Sequence, residues 1–352
     1  MNDQANSAPL PRSVLVTGAS TFLGGYLVAR LAANPDIDRV IAVDSRVPSK
    51  ALLRRMGRAD FVRLDIRRPA IAKVIANYNV DTVVHAAPSI MDSVEHSAAI
   101  KELNVVGTMQ VAAACQRSPS VKRLILRSSA MVYGAGPADP VVFLEGTPAR
   151  KEPRRGYGRD LIDMEGYVRG VSRRRRDVDV TILRFQSLLG PRIRTRMSAY
   201  LALPVVPKAF GHQPRLQFLH EEDALAALEH TTLHARPGTF NIAGEGIVSL
   251  SQCVQRAGHI QLPVPGALIS PIVGVMQDGR LPIIRSENTP YLSYGRVVDT
   301  TRMREELGFQ PRYSTLETLD DFIAGGHTAP VISAGTWRDL EHKAVAVATR
   351  LQ

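Results

Sequence analysis

The chain has 352 residues, 45% of them hydrophobic and 22% charged, which excludes a disordered or low-complexity protein and allows one large domain or two fused ones with a substantial core. Its formal net charge of +11, carried mostly by arginine, attracts anions from nucleotides to lipid phosphates without choosing among them. No run approaches the ~20 apolar residues of a membrane span, and the opening MNDQANSAPLPR lacks the apolar centre of a signal peptide. Cys115 and Cys253 lie far apart in helix-like segments, which suits buried thiols in a reducing compartment better than a disulfide or a metal site. These features predict a cytoplasmic protein with a disordered 1–12 segment, no transmembrane span, no metal and no nucleic-acid partner.

The first element is a short buried strand, Val14 to Val16, followed by a glycine turn and a helix whose apolar residues recur at three- and four-residue spacing. Twenty residues after Gly24, the run VIAV ends in Asp44, the acid that a βαβ dinucleotide site uses on ribose hydroxyls. A pyrophosphate would sit over the helix N-terminus, where unpaired N–H groups and the helix dipole favour negative charge. FVRLDI, DTVVHAA, VKRLILRSS and VTILRF then alternate with helical stretches, which predicts a parallel sheet covered on both faces. Strands ending in Asp65, His85 and Ser128 bring those residues to the carboxyl edge, where open α/β sheets bind ligands. His85 there reads as a general base or, more commonly in such a setting, as a structural residue.

Further along, Arg173, Arg174, Arg175 and Arg176 lie between a helix and a strand and predict a solvated helix end favoured by the macrodipole. The proline-bearing stretch from Leu262 to Ile284 reads either as helix and loop packing or as the wall of a greasy pocket. GRVVDTTRMREELGF predicts a strand-like run ending in Asp299 and then a short capped helix. The tail from Gly325 holds one apolar-spaced helix with Trp337, Leu340 and Val345, suited to packing on the body or on a second copy in a homodimer.

TGASTFLG, the Asp44 strand, LDI, VVHAA, NVVGT, SSAMVYG, Tyr157 and LLGP together resemble an extended short-chain dehydrogenase/reductase of the NAD-dependent epimerase/dehydratase family, from about Ser13 to Phe322. GRADFVRLDIR, DMEGYVRG, RLQFLHEEDAL and LSYGRVVDTTRMREELGF are similar to an actinobacterial set named UDP-glucose 4-epimerases. The resemblance implies an α/β fold: a Rossmann-type doubly wound parallel sheet over 13–190 and a smaller interleaved C-terminal substrate-binding subdomain over 191–324. Some elements of that subdomain return to the body, and 325–352 forms the tail. It implies NAD as cofactor, a nucleotide-sugar substrate, and a phosphate-binding turn made by Gly18, Thr21, Phe22, Leu23 and Gly24. Asp44 would hold the adenosine ribose, Asp65 and Ile66 would flank the adenine, and Ala86 and Ala87 would run along the cofactor. Asp44 favours NAD over NADP, although Arg46 keeps NADP open. The family's catalytic positions fall on Asn104, Ser129 and Tyr157, and its substrate positions on Ser187 and, one residue displaced, Arg215.

Several positions depart from the family pattern. Thr21 replaces the middle glycine of the turn, and its side chain is expected to crowd the pyrophosphate or reshape the loop. Leu161 stands where the family sets a lysine one turn after the tyrosine, and no lysine occurs between Lys151 and Lys208. Asp160 has the wrong sign to replace it, whereas Arg155 and Arg159 are near in sequence. Ala130 and Met131 occupy the places of a dehydratase's acid pair, which leans the reading to an epimerase or a simple dehydrogenase. Three functions stay open: an atypical UDP-glucose/UDP-galactose 4-epimerase, a non-catalytic NAD-binding protein, and a dehydrogenase of a hydrophobic alcohol.

Overall fold

Short apolar runs alternating with amphipathic helices build one central parallel sheet. The computed structural model describes residues 10–86, 97–147, 153, 156–269, 271–272 and 289–327. The sheet strands are β1 (Ser13–Thr17), β2 (Arg39–Asp44), β3 (Asp60–Arg63), β4 (Thr82–His85), β5 (Arg123–Ser129), β6 (Asp179–Phe185) and, from the second half of the chain, β11 (Gly238–Ile242). Their spatial order is β11-β6-β5-β4-β1-β2-β3, all neighbours parallel. The chain winds outward from β1 through β2 and β3, then returns to β4 and winds the other way. This reversal opens a crevice at the carboxyl ends of β1 and β4.

Side-chain alternation sends the two faces of each strand into different cores. Leu15, Val83, Leu124 and Leu126 pack with α3 (Ile71–Asn77), α5 (Gly107–Arg117) and α6 (Gly156–Arg174). Val14, Val16, Val84 and Ile125 pack with α1 (Phe22–Ala33) and α8 (Glu221–Leu233). Two smaller helices, α2 (Lys50–Arg55) and α4 (Ser97–Lys101), complete the first half.

A third core belongs to the cap, where Tyr200, Leu216, Phe218, Leu250, Val254 and Phe322 are buried together. Its strand pairs are β7 (Ser187–Leu189) with β10 (Phe218–His220), β8 (Val205–Ala209) with β13 (Ile260–Val264), and β9 (Arg215–Leu216) with β12 (Val248–Ser249). The cap helices are α7 (Arg196–Leu201), α9 (Leu250–Arg256), α10 (Thr289–Tyr294), α11 (Thr301–Glu305) and α12 (Thr315–Phe322). Capping boxes at Thr195, Ser249 and Ser314 start three of them by satisfying the first-turn N–H groups.

Some expected local structure differs. Val298 makes only an isolated bridge to Phe143, so GRVVD forms no strand; Asp299 instead accepts from the Thr301 N–H at 2.9 Å and starts α11. Within the arginine run, Arg175 is not merely solvated. Its guanidinium donates to the carbonyls of Gln116 (3.1 Å) and Ser118 (2.9 Å) at the end of α5 and pairs with Asp177. Arg58 does the same for α1, donating to the Ala32 and Asn34 carbonyls at 2.7 Å. Both cysteines are buried, which pushes their thiols up to about 12 and leaves them inert near neutrality. Among the described residues, no helix is long and apolar enough to cross a membrane, and no three His, Cys, Asp or Glu residues gather as a metal site. Trp337, Leu340 and Val345, and most of the Leu262 to Ile284 stretch, lie outside the described residues.

Candidate active site

The nucleotide end of the crevice is built on the β1–α1 turn. Gly18 turns the chain at φ 75°, and the N–H groups of Gly18 and Ala19 both donate to the Val43 carbonyl, at 3.0 and 3.3 Å, which fixes the turn to β2. A Cβ on Gly24 would stand 2.1 Å from the Gly18 carbonyl oxygen, so only glycine lets the helix press this closely on the turn. Thr21 has ordinary extended geometry, φ −85° and ψ 164°, and N-caps α1. Its hydroxyl donates to the Gly18 carbonyl at 2.7 Å and accepts from the Gly24 N–H at 3.2 Å. The side chain expected to crowd the pyrophosphate therefore folds back onto the helix start. Phe22 and Leu23, in the first turn, keep N–H groups that no helical carbonyl can reach, next to the positive end of the dipole.

Asp44 ends β2 against the same turn. One carboxylate oxygen accepts from the Ser20 N–H (2.9 Å) and hydroxyl (2.7 Å), and the other from the Arg46 N–H (3.0 Å). Asp65 lies beyond the end of β3, gripped by Arg67, whose guanidinium holds the carboxyl below its usual range. Ile66 is buried against Gly107, where an added Cβ would meet it at 2.8 Å. Ala86 is buried just after β4; Ala87 lies outside the described residues.

The middle of the crevice is a chain of hydroxyl and imidazole groups. Thr108 donates its one hydroxyl proton to the Asn104 carbonyl (2.5 Å), so His85 Nε2 must donate to Thr108 (2.8 Å) and Nδ1 must accept from Thr17 (2.7 Å). Burial, aided by the charge of Arg127, pushes His85 down to about 3. The imidazole is thus neutral, with one tautomer and both nitrogens occupied. His85 ties β1, β4 and α5 together and has no lone pair left for a general base. Asn104 is buried within a π-helical turn, Glu102–Val106, that joins α4 to α5; such turns reorient one side chain within an otherwise α-helical run.

At the other end of the crevice, Ser129 ends β5 and caps the 3-10 turn Ala130–Tyr133, its hydroxyl accepting from the Met131 N–H. Helix α6 begins on this turn: a Cβ on Gly158 would lie 2.9 Å from the Met131 carbonyl. That close seat brings Tyr157 to the segment carrying Ser129. Tyr157 shares a buried cluster with Leu126, Ala130 and Leu161, and Leu161 is wholly enclosed. Deeper in α6, the buried Glu165 carboxylate accepts from Arg184 (2.9 and 2.8 Å), the Ser128 hydroxyl (2.6 Å) and Arg169 (2.6 Å). Arg184 also donates to the Tyr133 hydroxyl at 2.8 Å, which in turn donates to Asn241 of β11 at 2.7 Å. This satisfied network locks α6 to β5, β6 and β11 directly behind the Ser129–Tyr157 corner.

Burial pushes the Tyr157 phenol above its ordinary value; Arg127 draws it back, Asp160 raises it further, and Arg196 lowers it. Of the candidates near Tyr157 in sequence, Arg159 pairs with Asp163 at 2.8 Å, and Arg155 lies outside the described residues. Arg127 was missed in the sequence. Its signal was a charge inside the apolar strand RLILRSS, two positions before the serine.

Toward the cap, the Ser187 hydroxyl meets the Tyr291 hydroxyl at 2.9 Å, and the Arg296 guanidinium lies 4.8 Å from the centre of the Tyr291 ring. Arg296 donates to the Gly134 carbonyl just beyond the Ser129 turn. Arg215 is exposed on β9.

A glycine turn on a parallel sheet, an acid closing the second strand and a Ser–Tyr corner at the carboxyl edge define a Rossmann-type dinucleotide-binding protein. Residues 14–243 match the model of the NAD dependent epimerase/dehydratase family, and the chain belongs to that family. An uncharacterized protein of Mycobacterium tuberculosis is 53% identical over 97% of this chain and 91% of its own length. The UDP-glucose 4-epimerase of Mycolicibacterium smegmatis is 26% identical, covering 87% of this chain and 95% of its own. The Thermotoga maritima UDP-glucose 4-epimerase, solved with UDP-glucose, superposes with a TM-score of 0.65 at 19% identity, over 89% of this chain and 98% of that one. Family membership makes NAD the cofactor and supports an enzyme of the oxidoreductase or isomerase kind, and the turn fits that cofactor through its close glycine packing and the first-turn N–H groups of a helix start.

Proposed function

We propose that the protein is a nucleotide-sugar 4-epimerase of the UDP-glucose/UDP-galactose class, with NAD as a retained cofactor. The observation that carries this reading is the seat of α6 on the 130–133 turn, which sets Tyr157 against the strand end carrying Ser129. Ala130 and Met131 bring no acid or base beside the sugar, which argues against dehydration. Asp44, held rigid by Ser20, accepts from ribose hydroxyls and repels a 2′-phosphate, favouring NAD over NADP. Phe22 and Leu23 offer N–H groups to the pyrophosphate, while Asp65, Ile66 and Ala86 flank the cofactor.

NAD held over the β1–α1 turn would supply a reversible hydride acceptor for the sugar carbon. Tyr157 takes the proton of the sugar's 4-hydroxyl and gives it back after the keto sugar has turned over. Ser129 orients that hydroxyl, and Asn104 stands behind it at the end of the His85 chain. Ser187 and Arg215 contact the nucleotide portion from the cap, in the division 13–190 for the NAD-binding body and 191–324 for the substrate domain. A second reading, a non-catalytic NAD-binding protein, is favoured by Leu161 and by the burial that raises the Tyr157 phenol. Denaturing the purified protein and identifying the released dinucleotide, beside an assay of UDP-galactose conversion, separates the two. Bound NAD with conversion supports the epimerase, bound NAD without conversion supports the binding protein, and NADP in its place overturns the role of Asp44.

A further inference from the structure

We propose that Arg127 is the fixed cation of this site: a positioning residue on the sheet that supplies Tyr157 with the charge that α6 does not carry. The proposal rests on reading Tyr157 as the group that exchanges the sugar's proton, and its placement follows from the strand register. β4 ends where His85 pairs with Leu126, so Arg127 is the first residue of β5 beyond that neighbour, at the lip of the crevice. Strand alternation puts Arg127 on the same side as Ser129, about 6.6 Å further down the strand. The start of α6 sits against the turn that follows Ser129, where a Cβ on Gly158 would lie 2.9 Å from the Met131 carbonyl, and Tyr157 belongs to the same buried cluster as Leu126 and Ala130. Arg127 thus comes from the last turn-ward residues of β5 and Tyr157 from the helix start that seats on the end of that strand.

The position suits a guanidinium. Its Nε is sealed from solvent, where Coulomb attraction is far stronger than in water. Burial lowers the pKa of Arg127, but a guanidinium starts high enough to stay charged where a buried lysine would tend to discharge. Nearby His85 is held neutral, so it adds no competing charge to the corner. Among the described residues, the charged groups acting on Tyr157 are Arg127 from β5, Asp160 from α6 and Arg196 from α7, and burial opposes ionisation more than any of them. Removing Arg127 would leave, among the described residues, Arg196 as the cation set against burial and Asp160.

The chain has nine tyrosines, so subtracting the ultraviolet pH titration of Tyr157→Phe isolates the ionisation of this one phenol whether or not the protein turns over. Arg127→Met should raise the Tyr157 midpoint by about one pH unit, which corresponds to about tenfold less phenolate at a given pH. The alkaline rise in kcat should move with it, while KM changes little. Arg127→Lys keeps a cation and should stay within about half a unit of the parent. Leu161→Lys placed in the Arg127→Met background should bring the midpoint and the rate back toward the parent. If Arg127→Met does not fold, Arg127→Gln is titrated instead. A midpoint unchanged by loss of the charge overturns the proposal, as does a shift equally large in Arg127→Lys, which would trace the effect to shape. Failure of the parent to epimerise any UDP-sugar would overturn the proposed function instead, and the titration would still decide the role of Arg127.

Discussion

The two ends of the crevice depart from their family pattern in different ways. At the β1–α1 turn, the threonine that replaces a glycine is accommodated within four residues: Thr21 becomes the helix cap, bonded to Gly18 and Gly24. At the α6 end, the leucine that replaces a lysine is not compensated on its own helix. Leu161 joins the apolar core, and the cations acting on Tyr157 come from β5 and α7. A capping hydroxyl can be exchanged locally because its partners are neighbouring backbone groups. A catalytic charge acts over several ångströms in a sealed pocket, so any element reaching that pocket can supply it.

The widest contrast between the two ends should come from their scaffolds. Glu165→Ala leaves Arg184 buried without its carboxylate and should cost about 3–5 kcal/mol in urea unfolding, while the folded fraction still retains NAD. Loss of NAD in proportion to the stability change would show that the two ends are not separable. At the nucleotide end, Gly24→Ala drives a methyl group into the Gly18 carbonyl and should cost about 1–3 kcal/mol while abolishing NAD retention. Unchanged NAD content in that variant would mean that the turn tolerates reshaping.

Acid dependence sharpens the view of the crevice floor. His85 is neutral when folded, with a pKa of about 3, whereas in the unfolded chain it protonates near ~6.5. Between those values the unfolded state binds the extra proton, so stability falls as pH drops below ~6.5, by at most ~1.4 kcal/mol per unit, and the loss levels off near 3. His85→Asn should show a shallower acid limb in urea melts across that window. The smallest effects lie in the arginine run. Arg175→Gln strips the carbonyl cap from α5 and should cost about 1 kcal/mol, whereas Arg173→Gln and Arg176→Gln should each stay within about 0.5. Thermal unfolding of the three variants distinguishes them.

Much of the nucleotide end was legible because its signals are local: strand, glycine turn, helix and terminal acid follow one another within 32 residues, from Ser13 to Asp44. The parallel sheet was legible from apolar runs of strand length. Its seventh strand, GTFNI, was not, since it is short and joins β6 from more than 50 residues away. GRVVD resembled a strand because apolar pairs alone do not reveal that its pairing with Phe143 and Arg215 stops at single isolated bridges. The Ser129–Tyr157 corner was half legible. Tyr157 and Ser129 carry family spacing, but the link from Arg127 to Tyr157 crosses 30 positions of sequence and depends on how α6 docks. Arg175 was hidden for a related reason, because a run of four like charges gives no sign of which member turns inward to cap a neighbouring helix.

The central claim is that this corner moves hydride and proton within one bound sugar, and the most direct measurement follows UDP-galactose deuterated at C4 into product. Epimerisation predicts UDP-glucose with the deuterium still at C4, formed by the parent and lost by roughly a hundredfold or more in Tyr157→Phe. Absence of conversion by the parent, or deuterium appearing in released NADH with a keto product, would contradict it.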